Sequence, residues 1–450
     1  MQRPILNPEL FVFPVDSKED KLVLYAPLEG SAAEINPDML FLLQNLNQDQ
    51  EIDFENPIFK RLKDSKIILD SQPDSEDKKE SKLDYCPTHL TILPTFNCNL
   101  RCVYCYSNGG EKPITLDLEI ARKAIDLLTY NISKTNSKKA SLGFHGGGEP
   151  LLEENLDLVK RCVEYFRSQM EDKGIESRVV AATNGVMEED SLEWISSNFD
   201  FINISLDGPA PIQDAQRPQK GGKPSFPYVM NTINFFEEKG LDYGIRSTIT
   251  AESVTQMPEI LSFFSEITKI KSIQFEPLYE CGRCKTTKVR APDPKIFIDY
   301  FLRSIEVAKE KQIKLLYSGS KVSTPSQNFC GASGNNFFLT PQGNVTTCLE
   351  VSREEDFGAK VFLIGKYDSD NKEFIFDDQK INHLKNRRVS NLSHCSDCFA
   401  KYSCSGDCLS KCYLSSGSIY DTSNNPRCEI NRQLHKAQII NTLKGGNKNG

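Results

Sequence analysis

Six short apolar stretches between residues 89 and 278, each followed by chain of helical periodicity, constrain this sequence most. HLTILPT, KASLGFH, SRVVAAT, FINISLD, YGIRSTI and SIQFEPL read as strands. Between them, DLEIARKAIDLLTYNI, LLEENLDLVKRCVEYFRSQM and MNTINFFEEKG repeat apolar residues every three or four positions, as amphipathic helices do. Six βα units in succession predict an α/β fold with a parallel sheet, either open or curved into a partial (β/α)6 barrel. In both forms ligands gather at the C-terminal ends of the strands.

The flanks read differently. Residues 1–70 form a small α+β unit: KLVLYAP is a strand, INPDMLFLLQNL an amphipathic helix, and NPIFKRLKDSKIIL a short helix running into a strand. SQPDSEDKKESK has almost no apolar residue, so 71–87 is expected to be a linker. The βα region then occupies 88–315. Over 316–440 the alternation fades while glycine, asparagine and cysteine rise, which suggests a metal-stapled unit, and 441–450 is expected to be a disordered tail. No apolar run is long enough to span a bilayer. The first residues lack a basic start followed by an apolar core. The expectation is a cytoplasmic protein without membrane association. A net charge of −8 with no basic stripe argues against nucleic acid as a partner.

Fifteen cysteines are many for a reducing compartment, where clustered thiols point to metal or redox work. Cys98, Cys102 and Cys105 lie on the loop after the first βα strand, with gaps of three and two residues. Such a loop can aim three thiolates at one iron–sulfur cluster and leave a fourth iron open for a substrate. A structural zinc would want a fourth ligand, and the local candidates, Cys86 and His89, have no familiar spacing. On spacing alone, zinc and unrelated thiols stay open as alternatives.

Cys-x3-Cys-x2-Cys with Tyr104 before its last cysteine resembles the signature of the radical SAM superfamily. The resemblance implies a [4Fe–4S] cluster whose open iron binds S-adenosylmethionine (SAM) and whose reduction yields a 5′-deoxyadenosyl radical. FHGGGEPLL, after the second strand, is similar to the family's GGEP motif through Gly147, Gly148, Glu149 and Pro150. Its glycines would let backbone approach a ligand, and Glu149 could accept a bond from an ammonium group. Asn184 in AATNG and Ser205 and Asp207 in ISLDGP match positions that line the SAM pocket; Asp207 could equally brace its own turn. QDAQRPQKGGKPSF resembles a His-Asp-x-x-Arg element with Gln213 in place of the histidine, which gives Arg217 the SAM carboxylate. His145 is read as structural.

Cys330, Gly343 and Cys348 precede CSDCFAKYSCSGDC, with Cys395, Cys398, Cys404 and Cys408, and Cys428 closes the series. The order and spacing resemble the SPASM domain, which carries two auxiliary [4Fe–4S] clusters in peptide-modifying radical SAM enzymes. The resemblance gives Cys395, Cys398, Cys404 and Cys428 to a distal cluster and Cys330, Cys348 and Cys408 to a proximal one. Cys284 or Cys281, in YECGRCKTT, would complete the proximal cluster, or its iron stays open. Two zinc ribbons are the alternative for these thiols. Cys412 is an extra thiol, and Cys162 falls in an apolar helical pattern as core.

Together these resemblances imply a radical SAM/SPASM maturase that oxidatively modifies a ribosomally made precursor peptide, with a thioether or carbon–carbon crosslink as the expected product. A flavodoxin- or ferredoxin-type protein would donate electrons. The N-terminal unit loosely resembles leader-peptide recognition elements, or it caps the barrel edge. Two rival functions are sulfatase maturation, which forms formylglycine, and non-enzymatic electron carriage. GGEP and Arg217 argue against the second.

Overall fold

The computed structural model describes residues 5–15, 20–45, 56–71, 85–321 and 324–446, the side chains of 445–446 excepted. Most of the expected linker, 72–84, lies outside the described residues.

Among its described residues the N-terminal unit has five strands: β1 (Ile5–Leu6), β2 (Phe11–Pro14), β3 (Leu22–Ala26), β4 (Ser31–Ile35) and β5 (Ile68–Leu69). β2, β3 and β4 form an antiparallel sheet, while β1 pairs with β5. Two helices, Pro37–Gln44 and Pro57–Asp64, follow β4, each started by an asparagine cap and a proline in its first turn. The unit packs on the C-terminal helix: Val23 and Tyr25 meet Ile439, Ile440, Leu443 and Phe399. Tyr25 Oη lies 3.0 Å from His435 Nε2, and Glu9 pairs with Lys401 at 2.7 Å. Its neighbour is therefore the C-terminal part of the chain.

All six expected βα strands form: β6 (His89–Ile92), β7 (Lys139–Phe144), β8 (Glu176–Thr183), β9 (Phe201–Ser205), β10 (Tyr243–Ile249) and β11 (Ser272–Pro277). They pair in parallel and in chain order, and a seventh, β12 (Lys314–Leu316), extends the series beyond β11. β12 has only three residues and no buried one, so it leaves no apolar signature. On the other edge β6 pairs in parallel with β13 (Phe338–Leu339), and β14 (Asn344–Thr346), β15 (Leu363–Asp368) and β16 (Glu373–Phe376) continue antiparallel. The fold is α/β around one central, mostly parallel sheet of eleven strands, to which the C-terminal region adds four.

The helix Leu118–Thr135 shows how the sequence covers this sheet. Ala121, Ala124, Ile125, Leu128 and Ile132 recur at helical spacing and are buried in the main core with Leu90 and Ile92 of β6. Each fully buried Leu or Ile contributes about 1.5–3 kcal/mol relative to exposure. Asp117 caps the first turn by accepting from the Glu119 and Ile120 amides, and Asn136 ends the helix in the left-handed region. Cys162 is fully buried in the same core, as its pattern predicts. The chain ends differently from expectation: the helix Arg427–Gly446 runs past 441, and only 447–450 lie outside the described residues.

Candidate active site

Because β6 to β11 are parallel and sequential, the loops after them share one end of the sheet. The loop after β6 carries Cys98, Cys102 and Cys105, all partly exposed. Its backbone is held by other loops at the same end: the Arg101 and Val103 amides donate to Pro218 and Gln216 carbonyls at 2.7 and 2.9 Å. Arg101 Nη1 donates to the Cys98 and Leu100 carbonyls at 2.8 Å each. The three thiols are close enough to act on one another electrostatically. Burial, then the neighbouring thiols and Glu149, pushes the Cys98 thiol up; burial lifts Cys102 to about 11. A bound cation would favour Cys98 and Cys102 as thiolates.

The loop after β7 meets this cysteine loop without clearance. A Cβ on Gly148 would lie 1.9 Å from the Asn97 carbonyl oxygen. Gly147 has φ +93°, and a Cβ there would strike Phe96. The Glu149 amide donates to that Asn97 oxygen at 2.8 Å. The Glu149 carboxylate is buried, and burial raises its pKa to about 7. Oε1 accepts from Thr183 Oγ1 at 2.7 Å and from the Leu151 amide at 3.1 Å, and Oε2 accepts from the Asn184 amide at 2.7 Å. One lone pair on Oε2 is left for an ammonium donor. Asn184 in turn donates to Asn99 Oδ1 at 2.8 Å and reaches Cys98 Sγ at 3.9 Å.

Asp207, after β9, has no exposed surface. Its carboxylate accepts from Tyr104 Oη, from Gln216 Nε2 at 2.7 Å and from the Thr248 amide at 2.9 Å. Arg217 Nε is 3.1 Å away without hydrogen-bond alignment, and its guanidinium lies over the Tyr104 ring at 5.2 Å. The partners of this carboxylate lie on the cysteine loop, on the helix end before Arg217 and on β10, so it ties those segments together rather than bracing its own DGP turn. Gln213 accepts from the Asp207 amide at 2.9 Å and donates to Ser225 at 3.2 Å, so it holds the turn where a histidine was expected. Ser205 ends β9 and is half-buried.

The C-terminal thiols fall into two groups. Cys395, Cys398, Cys404 and Cys428 line one cavity of about 310 Å³ together with Asn431, whose Nδ2 donates to Cys404 Sγ at 3.1 Å. Cys330, Cys348 and Cys408 act on one another electrostatically. Among the described residues no three His, Cys, Asp or Glu side chains converge as tightly as a single metal ion demands. Cys284 does not join the second group: it is buried in an apolar cluster with Tyr104, Cys102, Val103 and Leu278. Cys281 is acted on electrostatically by Glu350 and Lys411, an ion pair of 3.6 Å that also acts on Cys408, and by Cys284 and Cys105. Cys412 is fully buried, with Arg387 Nη2 at 3.8 Å from its sulfur.

Comparison with known proteins decides what the cysteine loop belongs to: residues 92–263 match the Radical SAM superfamily. This stretch is a radical SAM domain. The serine-type anaerobic sulfatase-maturating enzyme of Bacteroides thetaiotaomicron is 29% identical over 203 residues, 43% of this chain and 47% of that one. The antilisterial bacteriocin subtilosin biosynthesis protein AlbA of Bacillus subtilis is 23% identical over 318 residues, 69% of this chain and 64% of that one. The chain thus spans about half the length of the relatives it matches. In fold it is similar to native anSMEcpe with bound AdoMet (TM-score 0.62, 19% identity, 80% of this chain and 100% of that one). It is also similar to Streptococcus suis SuiB bound to precursor peptide SuiA (TM-score 0.52, 15% identity, 93% and 98%).

A radical SAM domain implies a [4Fe–4S] cluster and SAM, and the cysteine loop fits that pair. Its three thiols are partly exposed, and two of them meet donors suited to sulfur ligands, the Gly109 amide at 3.4 Å from Cys105 Sγ and Asn184 beside Cys98. Sequence reasoning missed the groups that hold this loop, Arg101, Gln216 and Arg283. Arg283 stood inside a segment noticed for its cysteines, but nothing in one sequence says which carbonyls an arginine will reach. Among the described residues no helix is long and apolar enough to cross a membrane.

Proposed function

We propose that this protein is a radical SAM/SPASM maturase acting on a ribosomally made precursor peptide. One observation carries the reading: the cysteine loop and the Gly147–Glu149 loop are fitted to each other at the strand ends, while the C-terminal region brings four further cysteines around a single cavity. The first arrangement supports SAM cleavage at Cys98, Cys102 and Cys105. The second supports an auxiliary cluster on Cys395, Cys398, Cys404 and Cys428. The group Cys330, Cys348 and Cys408 supports another. The parallel strands would then curve as a partial (β/α)6 barrel.

When bound, the cluster and SAM supply a 5′-deoxyadenosyl radical that takes a hydrogen atom from the substrate. The chain's own residues bind and shield. Arg217 is assigned to the SAM carboxylate; its unaligned contact with Asp207 leaves its outer nitrogens for a ligand. Glu149 is assigned to the SAM ammonium through its remaining lone pair, and Asn184 and Ser205 line the same end. A flavodoxin- or ferredoxin-type protein is the proposed electron donor.

Two points favour a precursor peptide over a sulfatase as substrate. The peptide-bound SuiB structure aligns with 93% of this chain, against 80% for anSMEcpe. The β2–β3–β4 sheet also offers an edge to which a leader could add as a strand. The test is co-expression with a short peptide encoded beside the gene, followed by mass spectrometry. Loss of two hydrogens supports an oxidative crosslink, by thioether or carbon–carbon bond; an unchanged mass counts against it.

A further inference from the structure

The segment Cys281–Thr287, after β11, touches the cysteine loop through the apolar packing of Cys284 and through hydrogen bonds from other residues. Arg283 is 9% exposed. Its Nη1 donates to the Cys102 carbonyl at 2.8 Å and its Nη2 to the Gly109 carbonyl at 3.1 Å. Nε and Nη2 also reach Glu111 Oε1 at 3.3 and 3.2 Å. The Arg283 amide donates to the Cys105 carbonyl at 3.0 Å, and Thr287 Oγ1 to the Val103 carbonyl at 2.6 Å. Gly282, at φ +55°, permits this approach: a Cβ there would lie 2.3 Å from the Cys105 oxygen. Four carbonyls of the loop, those of Cys102, Val103, Cys105 and Gly109, thus accept from one segment, that of Cys102 accepting also from the Cys105 amide at 3.2 Å. A buried carbonyl left without a donor is costly, so the segment fixes the loop's path between the second and third thiols.

We propose that Arg283 is a positioning residue for the SAM-binding cluster, locking the backbone that carries Cys102 and Cys105 and placing a buried positive charge behind Cys102. The proposal rests on the reading of Cys98, Cys102 and Cys105 as cluster ligands. A guanidinium suits the task because its fixed fork serves two carbonyls and a carboxylate at once, which a lysine ammonium at the end of a flexible stem does not. The charge favours the more negative, reduced form of a cluster held by thiolates. Arg283 touches neither SAM nor substrate, and it acts through the loop.

The experiment uses the full chain with its clusters reconstituted without oxygen, as wild type, R283K, R283Q and C98A. Outer-shell partners of metal ligands typically carry about 10- to 100-fold in metal retention. In R283Q, roughly a third of the iron, one of three [4Fe–4S] clusters, is therefore expected to pass to a chelator ~10- to 100-fold faster than in wild type. The electron paramagnetic resonance change on adding SAM should weaken and that cluster's reduction potential should fall, with R283K in between. R283K carries the test if R283Q does not fold. Wild-type iron loss, SAM response and potential in the arginine variants, while C98A lacks that share of iron, would overturn the role of Arg283 alone. Undiminished iron in C98A would remove the cluster reading, and this proposal with it.

Discussion

Alanine at Gly148 tests the fit between the two loops most sharply. The added Cβ would lie 1.9 Å from the Asn97 carbonyl oxygen and 2.7 Å from the Asn97 and Phe96 carbonyl carbons, all backbone. To reach even 3.0 Å from that oxygen the loops must part by at least 1.1 Å. The bond from the Glu149 amide to the same oxygen, now 2.8 Å, goes with that movement. Its loss costs about 1 kcal/mol, and overpacking adds about 1–3 kcal/mol, so roughly 2–4 kcal/mol of stability is at stake. The rate should suffer more, because a shift of about 1 Å in a positioning group can cost ~10²-fold. The assay is 5′-deoxyadenosine release with saturating SAM and a chemical reductant, beside thermal unfolding of the same preparation. Alanine at Gly146 is the comparison: its Cβ would meet the Tyr106 hydroxyl at 2.6 Å, the far end of a side chain rather than backbone. G146A should keep most of the rate. G148A with a rate within a few-fold of wild type would refute the claim that the two loops are held in contact.

Burial lowers His435 from 6.5 to about 4 where it meets Tyr25 and Ser403. Its folded-state value lies below the unfolded one, so the stability it supports is full above pH 6.5. That stability is lost as pH falls toward 4, by about 3 kcal/mol in all. Protection factors across residues 22–35, taken after correction for the pH dependence of intrinsic exchange, should therefore fall over that range in wild type and stay flat in H435Q; equal profiles would contradict the assignment. Arg387 is fully buried and donates to the carbonyls of Ile419, Ser405 and Gly406 at 3.0, 2.7 and 2.6 Å. R387M strands three carbonyls and should cost roughly 3 kcal/mol or more. Thermal unfolding unchanged by R387M would show that this buried arginine is dispensable.

The βα region was legible because its signals are local. Strand runs and helical periodicity fall within windows of ten to twenty residues, and all six expected strands formed. β12 escaped because three partly exposed residues carry no pattern. The cysteine loop was legible for a different reason: three thiols so closely spaced have few other uses. Asp207 could be read two ways because sequence does not reveal burial; with no exposed surface and three donors on its carboxylate, it braces the loops. The place of Cys284 depended on contacts more than 170 residues apart in sequence, such as Arg283 with Cys102 and Gly109. Spacing along the chain holds no record of such contacts. Ser405, Gly406 and Asp407 are all at positive φ between Cys404 and Cys408, and this turn is likewise invisible until the arginine that holds the Ser405 and Gly406 carbonyls is seen.

The most direct test counts iron and product together. The protein is purified and reconstituted without oxygen, its iron and sulfide are measured, and 5′-deoxyadenosine is followed after reduction with SAM present. The account predicts about twelve irons per chain, three [4Fe–4S] clusters, with release of 5′-deoxyadenosine that C98A abolishes. Zinc in place of iron, no 5′-deoxyadenosine, or undiminished release by C98A would contradict it.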